Sequence, residues 1–147
     1  MPKPKHTLVE TITPAQMNQS HAAPLYASQP AAGFPAPGDD LVERPLDLND
    51  LMIDNPTATF FVRVSGDSME GARIFDGDVL VVDRSVEPKN RSIVVAAVYG
   101  ELVVKQLEKS GSSVRLVSAN EAYDPILLDE VEGCHVWGVV TGVVRVI

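Results

Sequence analysis

The sequence predicts a mostly β protein: a compact antiparallel β domain over residues 46–147, preceded by an extended, flexible arm over residues 1–45. Two observations carry that expectation. From Thr57 onward the apolar runs are short, rich in β-branched and aromatic residues, and broken by Gly, Pro and Asp, the texture of an antiparallel sheet. Before residue 46 the texture is different. Eight of the 11 prolines fall there, with Ala22-Ala23, Ala31-Ala32 and Gly38 and no sustained apolar period, so that stretch reads as poorly packed chain.

The elements follow in order. Leucines at 48 and 51 among Asn and Asp predict a short helix, stopped by Asn55-Pro56. Thr59-Phe60-Phe61-Val62-Arg63-Val64 is the first strand of the domain, and Asp78-Val79-Leu80-Val81-Val82-Asp83 the next. Residues 92–99 and 101–108 form a hairpin through Gly100. Val114-Arg115-Leu116-Val117-Ser118 is a further strand, and residues 137–146 close the chain with glycines at 138 and 142 that mark bulges or bends. No internal repeat is visible.

Composition excludes several function classes. The 147 residues are 45% hydrophobic and 22% charged, with a net charge of −8. Phosphate binding needs clustered Lys and Arg, so no direct grip on DNA is expected. No run of about 18 apolar residues crosses a membrane. The N-terminus, with Lys3 and Lys5 but no apolar stretch behind them, does not read as a secretory signal. The single cysteine, Cys134, precludes an internal disulfide and fits a cytoplasmic location. Cys134 beside His135 is too little for a metal site, so neither a metal nor another cofactor is expected.

Two residues far apart in sequence carry the chemistry. Ser68 lies in the small-residue turn Ser65-Gly66-Asp67-Ser68-Met69, straight after an apolar strand. On a tight turn, backbone N–H groups can face a developing oxyanion, and those of Ser68 and Met69 are the natural donors. The local alternative is a helix N-cap, with Asp67 or Ser68 capping Met69-Glu70-Gly71. Gly66 and Gly71 have the spacing of a phosphate loop, but Ala72-Arg73 stands where that loop needs Lys and Ser or Thr.

Lys105 sits in Leu102-Val103-Val104-Lys105-Gln106-Leu107. Apolar surroundings lower a lysine's pKa, and a neutral amine can take a serine's proton. The alternative is an edge-strand lysine whose head reaches water. Meeting in space, Ser68 and Lys105 would form the Ser-Lys variant of a nucleophile-base pair, which predicts a peptide-bond hydrolase. Among the histidines, His6 and His21 lie in the arm, where preorganisation is expected to be poor, and no carboxylate is placed to orient His135. In the arm, Ala32-Gly33 is small and accessible between Pro30 and Pro35, which suits either a peptide held extended for a β-rich protease or a disordered linker, and composition alone does not choose between them.

These elements together resemble the LexA/UmuD family of self-cleaving serine peptidases. The carrying residues are Ala32-Gly33, Ser65-Gly66-Asp67-Ser68-Met69, Val103-Val104-Lys105, the turn Asp76-Gly77-Asp78, and Gly138-Val139-Val140. The likeness covers residues 32–147. It implies Ala32-Gly33 as the scissile bond, Ser68 as nucleophile and Lys105 as base. Only 32 residues precede Gly33, without a helical pattern, so no DNA-reading helix-turn-helix module is expected. That favours the UmuD-like branch, accessory proteins of error-prone polymerases, over a repressor. UmuD proteins often carry Cys-Gly at the cleavage site, whereas Ala-Gly here is the LexA-type pair. By resemblance, cleavage is promoted by the RecA filament on single-stranded DNA. The product then joins a Y-family polymerase subunit in the SOS DNA-damage response, and the protein is a homodimer with its apolar C-terminal strand as a candidate surface. Two further readings remain: a binding module of the same fold without cleavage, and a protease acting in trans.

Overall fold

A computed structural model describes residues 6–16, 23–26, 42–119, 124–128 and 133–147. The chain divides into two compact units, residues 16–54, and residues 1–15 together with 55–147. The first strand, β1 (Leu8–Pro14), belongs to the larger unit. The smaller unit pairs β2 (Ala23–Tyr26) antiparallel with β3 (Val42–Leu46) and ends in α1 (Leu48–Met52). The Asp47 carboxylate accepts from the Asn49 N–H at 2.9 Å and caps α1, satisfying one of the donors a helix start leaves open. Ile53 is extended and stops the helix, two residues before Asn55-Pro56.

The larger unit continues through β4 (Thr59–Ser65), β5 (Val79–Asp83), β6 (Ile93–Val98), β7 (Glu101–Ser110), β8 (Ser113–Val117), β9 (Ile126–Leu127) and β10 (Cys134–Val144). All pairings are antiparallel, in the order β1-β4-β5-β10-β6-β7-β8-β9. A further pairing, Leu8 with Val103, joins β1 to β7. It closes β1, β4, β5, β10, β6 and β7 into a barrel, with β8 and β9 extending past β7. The mostly β, antiparallel expectation holds.

Both faces of the central strands are buried. Val95 and Val104 pack with Val62, Val64, Met69, Ile74, Leu80 and Val82, while Val94 and Val103 pack with Ala96, Leu107, Leu116 and Val139. A strand buried on both faces reads as a continuous apolar run, which is why residues 93–98 and 102–104 show little polar alternation. Each such side chain contributes about 1.5–3 kcal/mol of burial. The two glycines of β10 mark its irregularities: the register slips between Val136 and Gly138 and again between Val140 and Gly142. A Cβ on Gly138 would lie 2.6 Å from Val82 Cγ1, so only glycine lets β10 pass Val82 this closely.

The expected arm differs from the structure at its start. Residues 8–14 form a strand antiparallel to β4, extended by the Ala15 N–H donating to the Thr59 carbonyl at 3.0 Å. Glu10 to Pro14 keep exposed side chains. The strand is held by backbone pairing along the edge of β4, so it has no apolar period to reveal it.

The turn Asp76-Gly77-Asp78 braces the sheet. Gly77 (φ 86°) donates to the Val64 carbonyl, and Val64 donates to the Asp78 carbonyl. The buried Asp78 carboxylate accepts from Arg145 Nε and from one terminal nitrogen of the Arg145 guanidinium at 2.7 Å each, and from the Phe75 N–H at 2.8 Å. The Arg145 bonds, followed by the Phe75 bond, outweigh desolvation and hold the Asp78 carboxyl below the usual aspartate range. Its contribution to stability is therefore full above the unfolded value of about 3.9 and is lost as pH falls through the lower folded value. Asp78→Ala orphans the Phe75 N–H and leaves the Arg145 guanidinium, among the described residues, with only its bond to the Arg73 carbonyl and its place over the Phe75 ring. It is expected to cost about 1–3 kcal/mol in urea unfolding at pH 7, with the gap to wild type closing on acidification.

Candidate active site

Ser68 follows directly from the end of β4. Gly66 adopts φ 104°, a conformation open to glycine at no steric cost, and its N–H donates to Asp76 Oδ1 at 2.9 Å. The turn is thus bent by one glycine and pinned by the Asp76-Gly77-Asp78 loop. Ser68 itself is fully buried. No side chain caps the short 3₁₀ turn Glu70–Ala72 that follows, whose N-cap position is Met69. The capping alternative therefore fails. Ser68 Oγ instead accepts from the Thr7 N–H at 2.8 Å and donates to Thr7 Oγ1 at 3.1 Å. Among the described residues, the N–H groups of Ser68 and Met69 donate to no protein acceptor.

Lys105 lies on β7, with β6 on one side and β8 on the other, and is 1% exposed. The edge-strand alternative fails with that placement. Desolvation pushes its ammonium below the ordinary lysine range. Its Nζ lies 3.0 Å from His6 Nδ1 and donates to Ser118 Oγ at 2.5 Å. A cleft of about 220 Å³ opens beside it, lined by His6, Tyr99, Glu101, Val103 and Ile126 among others.

The two side chains thus open onto neighbouring residues of one segment: Ser68 bonds Thr7, and Lys105 faces His6. Thr7 is completely buried, and its carbonyl accepts from the Val104 N–H at 2.9 Å, next to Lys105 on β7. His6 corrects the expectation of a poorly ordered arm, because the start of β1 carries it to the lysine. Burial and, next, the Lys105 charge hold its imidazole below the usual histidine value. Ala32 and Gly33 lie outside the described residues. His135 is exposed on β10, paired with Ala97.

Sequence reasoning also passed over Ser118. The signal for it was the β7–β8 hairpin: Ser110 pairs with Ser113 and Gln106 with Val117, so the next position in register sets Ser118 across from Lys105.

The sequence pattern of the family described as Peptidase S24-like matches residues 24–141. The chain belongs to that family. Its relatives include Protein MucA of Salmonella typhimurium, 39% identical over 134 residues, which span 90% of this chain and 91% of MucA. Protein SamA of the same species is 38% identical over 91% of this chain and 93% of its own length. The LexA repressor of Shewanella sediminis is 36% identical over 91% of this chain and 65% of the repressor. The chain is thus a UmuD-like member of the LexA/UmuD family, a family of serine peptidases. Among the described residues, no helix is long and apolar enough to cross a membrane.

Proposed function

We propose that the protein cleaves itself between Ala32 and Gly33, with Ser68 as nucleophile and Lys105 as its base. The observation that carries this reading is a lysine, 1% exposed and with a lowered pKa, opening onto the same two-residue segment as the Ser68 hydroxyl. Neutral Lys105 takes the Ser68 proton, and Oγ attacks the Ala32 carbonyl carbon. The Ser68 and Met69 N–H groups hold the oxyanion. As the tetrahedral species collapses, the Gly33 nitrogen leaves with the proton from the Lys105 ammonium. Lys105 then activates a water that hydrolyses the ester, releasing residues 1–32 from residues 33–147. Membership of a serine peptidase family and UmuD-like relatives support the reading.

The cleaved form, in this proposal, is the accessory subunit of a Y-family polymerase in translesion synthesis. It acts as a homodimer in the cytoplasm, its production stimulated by the RecA filament. A partner that binds the cleavage-competent pose raises that pose's population.

Incubation of purified protein from pH 6 to 11, followed by intact mass, tests the chemistry. Fragments ending at Ala32 and starting at Gly33 are expected in wild type and absent in Ser68→Ala and Lys105→Ala. The rate should rise with pH as the amine becomes neutral. It should level off below the ordinary lysine value of about 10.4, because burial lowers the Lys105 pKa. Cleavage that persists in either variant removes the mechanism. No cleavage in wild type, even with RecA filament added, leaves a binding module.

A further inference from the structure

We infer that residues 6–8 are a tethered peptide inhibitor, an extended segment that fills the substrate track along β7 and holds the Ser68–Lys105 site idle. The inference rests on the proposed roles of those two residues. The contacts are those of strand addition, in which main-chain bonds fix an extended peptide against a neighbouring strand. Thr7 accepts from the Val104 N–H at 2.9 Å, and Leu8 pairs with Val103. The track so used ends at Lys105.

The segment engages both reacting groups in the wrong sense. Attack needs the Ser68 proton aimed at an amine and an oxygen lone pair aimed at a carbonyl carbon. Instead, Ser68 Oγ spends its proton on Thr7 Oγ1 and accepts the Thr7 N–H at 2.8 Å. The His6–Thr7 peptide group therefore meets the nucleophile through its N–H and is held without being cut. Lys105 Nζ faces His6 Nδ1 at 3.0 Å and Ser118 Oγ at 2.5 Å. Thr7 is fully buried in this arrangement, so a peptide bond approaching Ser68 must displace it.

The remainder of β1 makes such release local. Val9 to Pro14 stay paired with β4 while residues 6–8 peel from β7; among the described residues β1 meets β7 at Leu8, whose pairing with Ser65 at the end of β4 opens with it. Cleavage then proceeds only from the fraction of molecules with residues 6–8 lifted. Anything that weakens the segment raises the rate by enlarging that fraction.

Full-length chains test this through two readouts, the rate of Ser68 labelling by a small fluorophosphonate and the rate of cleavage at Ala32–Gly33. Thr7→Pro removes both the N–H and the hydroxyl that hold Ser68, and it should raise labelling at least about tenfold. Thr7→Val keeps the N–H and the side-chain shape but loses the hydroxyl, so it should label at an intermediate rate. It also guards against a proline that disturbs β1. Equal labelling of the three chains, including none in any, overturns the inference. Wild-type cleavage that needs Ser68 and Lys105, with no acceleration in Thr7→Pro, overturns it while leaving the proposed function intact. Faster labelling without cleavage in any chain supports the tethered segment and removes the self-cleavage reading.

Discussion

Lys105→Met is expected to lower self-cleavage by at least about a hundredfold and to raise the melting temperature at neutral pH. The first effect follows from losing the proposed base, since a positioned general base contributes about 10²–10⁴-fold. The second follows from burial. Lys105 is 1% exposed, and desolvation lowers its pKa in the folded chain. Between the lowered folded value and the ordinary one, the unfolded chain binds the extra proton, so stability rises with pH across that window. Below it, the folded chain carries the full penalty of a buried ammonium. Methionine has a similar length and no charge, so it removes that penalty where the lysine is charged. Thermal unfolding of both proteins at pH 7 and pH 10 should show the methionine variant more stable at pH 7, by a margin that shrinks at pH 10. A variant that melts below wild type at pH 7 would mean that the bonds to Ser118 and His6 outweigh desolvation, and that Lys105 is a structural residue.

The strands around this site were legible in the sequence for a physical reason. Residues 79–83 and 93–98 are largely buried, and 59–65 bury Thr59, Val62 and Val64, so composition registers burial directly. Glycine and aspartate reported the turns that aim Ser68, because Gly66 needs φ 104° and Asp76 supplies the acceptor for its N–H. The start of the chain was not legible. The segment from Glu10 to Pro14 is exposed, and what holds it is backbone pairing to β4, which leaves no trace in side-chain pattern. The pair β2–β3 was hidden by Pro24 and Pro45, residues that argue against central strands. They are tolerated here, opposite one another in a two-stranded sheet where every strand is an edge. The candidate site was legible as two residue types in unusual contexts, a serine in a small-residue turn and a lysine in an apolar strand. Its other contacts were not. His6 reaches Lys105 across 99 positions and Thr7 reaches Ser68 across 61, separations that no local pattern encodes.

Gly71→Ala is expected to damage the site from outside it. A Cβ on Gly71 would lie 2.5 Å from the Ala119 carbonyl oxygen and 3.2 Å from the Ala119 Cβ. The first contact is with backbone, so rotating a side chain cannot relieve it. The backbone at Ala119, two residues past the end of β8, must move, and the bond from the Gly71 N–H to that carbonyl, 3.3 Å long, is strained or lost. Overpacking of this kind costs about 1–3 kcal/mol. The adjacent residue is Ser118, whose Oγ holds Lys105 Nζ. Displacing it loosens the amine, and in the proposed mechanism loss of a positioned geometry costs about 10²-fold in rate. Ser118→Ala separates the two effects, because it removes the hydroxyl without crowding Ala119. It should lower the plateau rate of cleavage at high pH with little change in urea midpoint, and Ser118→Thr should restore part of the rate. Gly71→Ala should lower both the rate and the midpoint. A Ser118→Ala protein that cleaves at the wild-type plateau would show that Lys105 needs no hydroxyl to hold it, and any loss in Gly71→Ala would then come from the 69–72 turn beside Ser68.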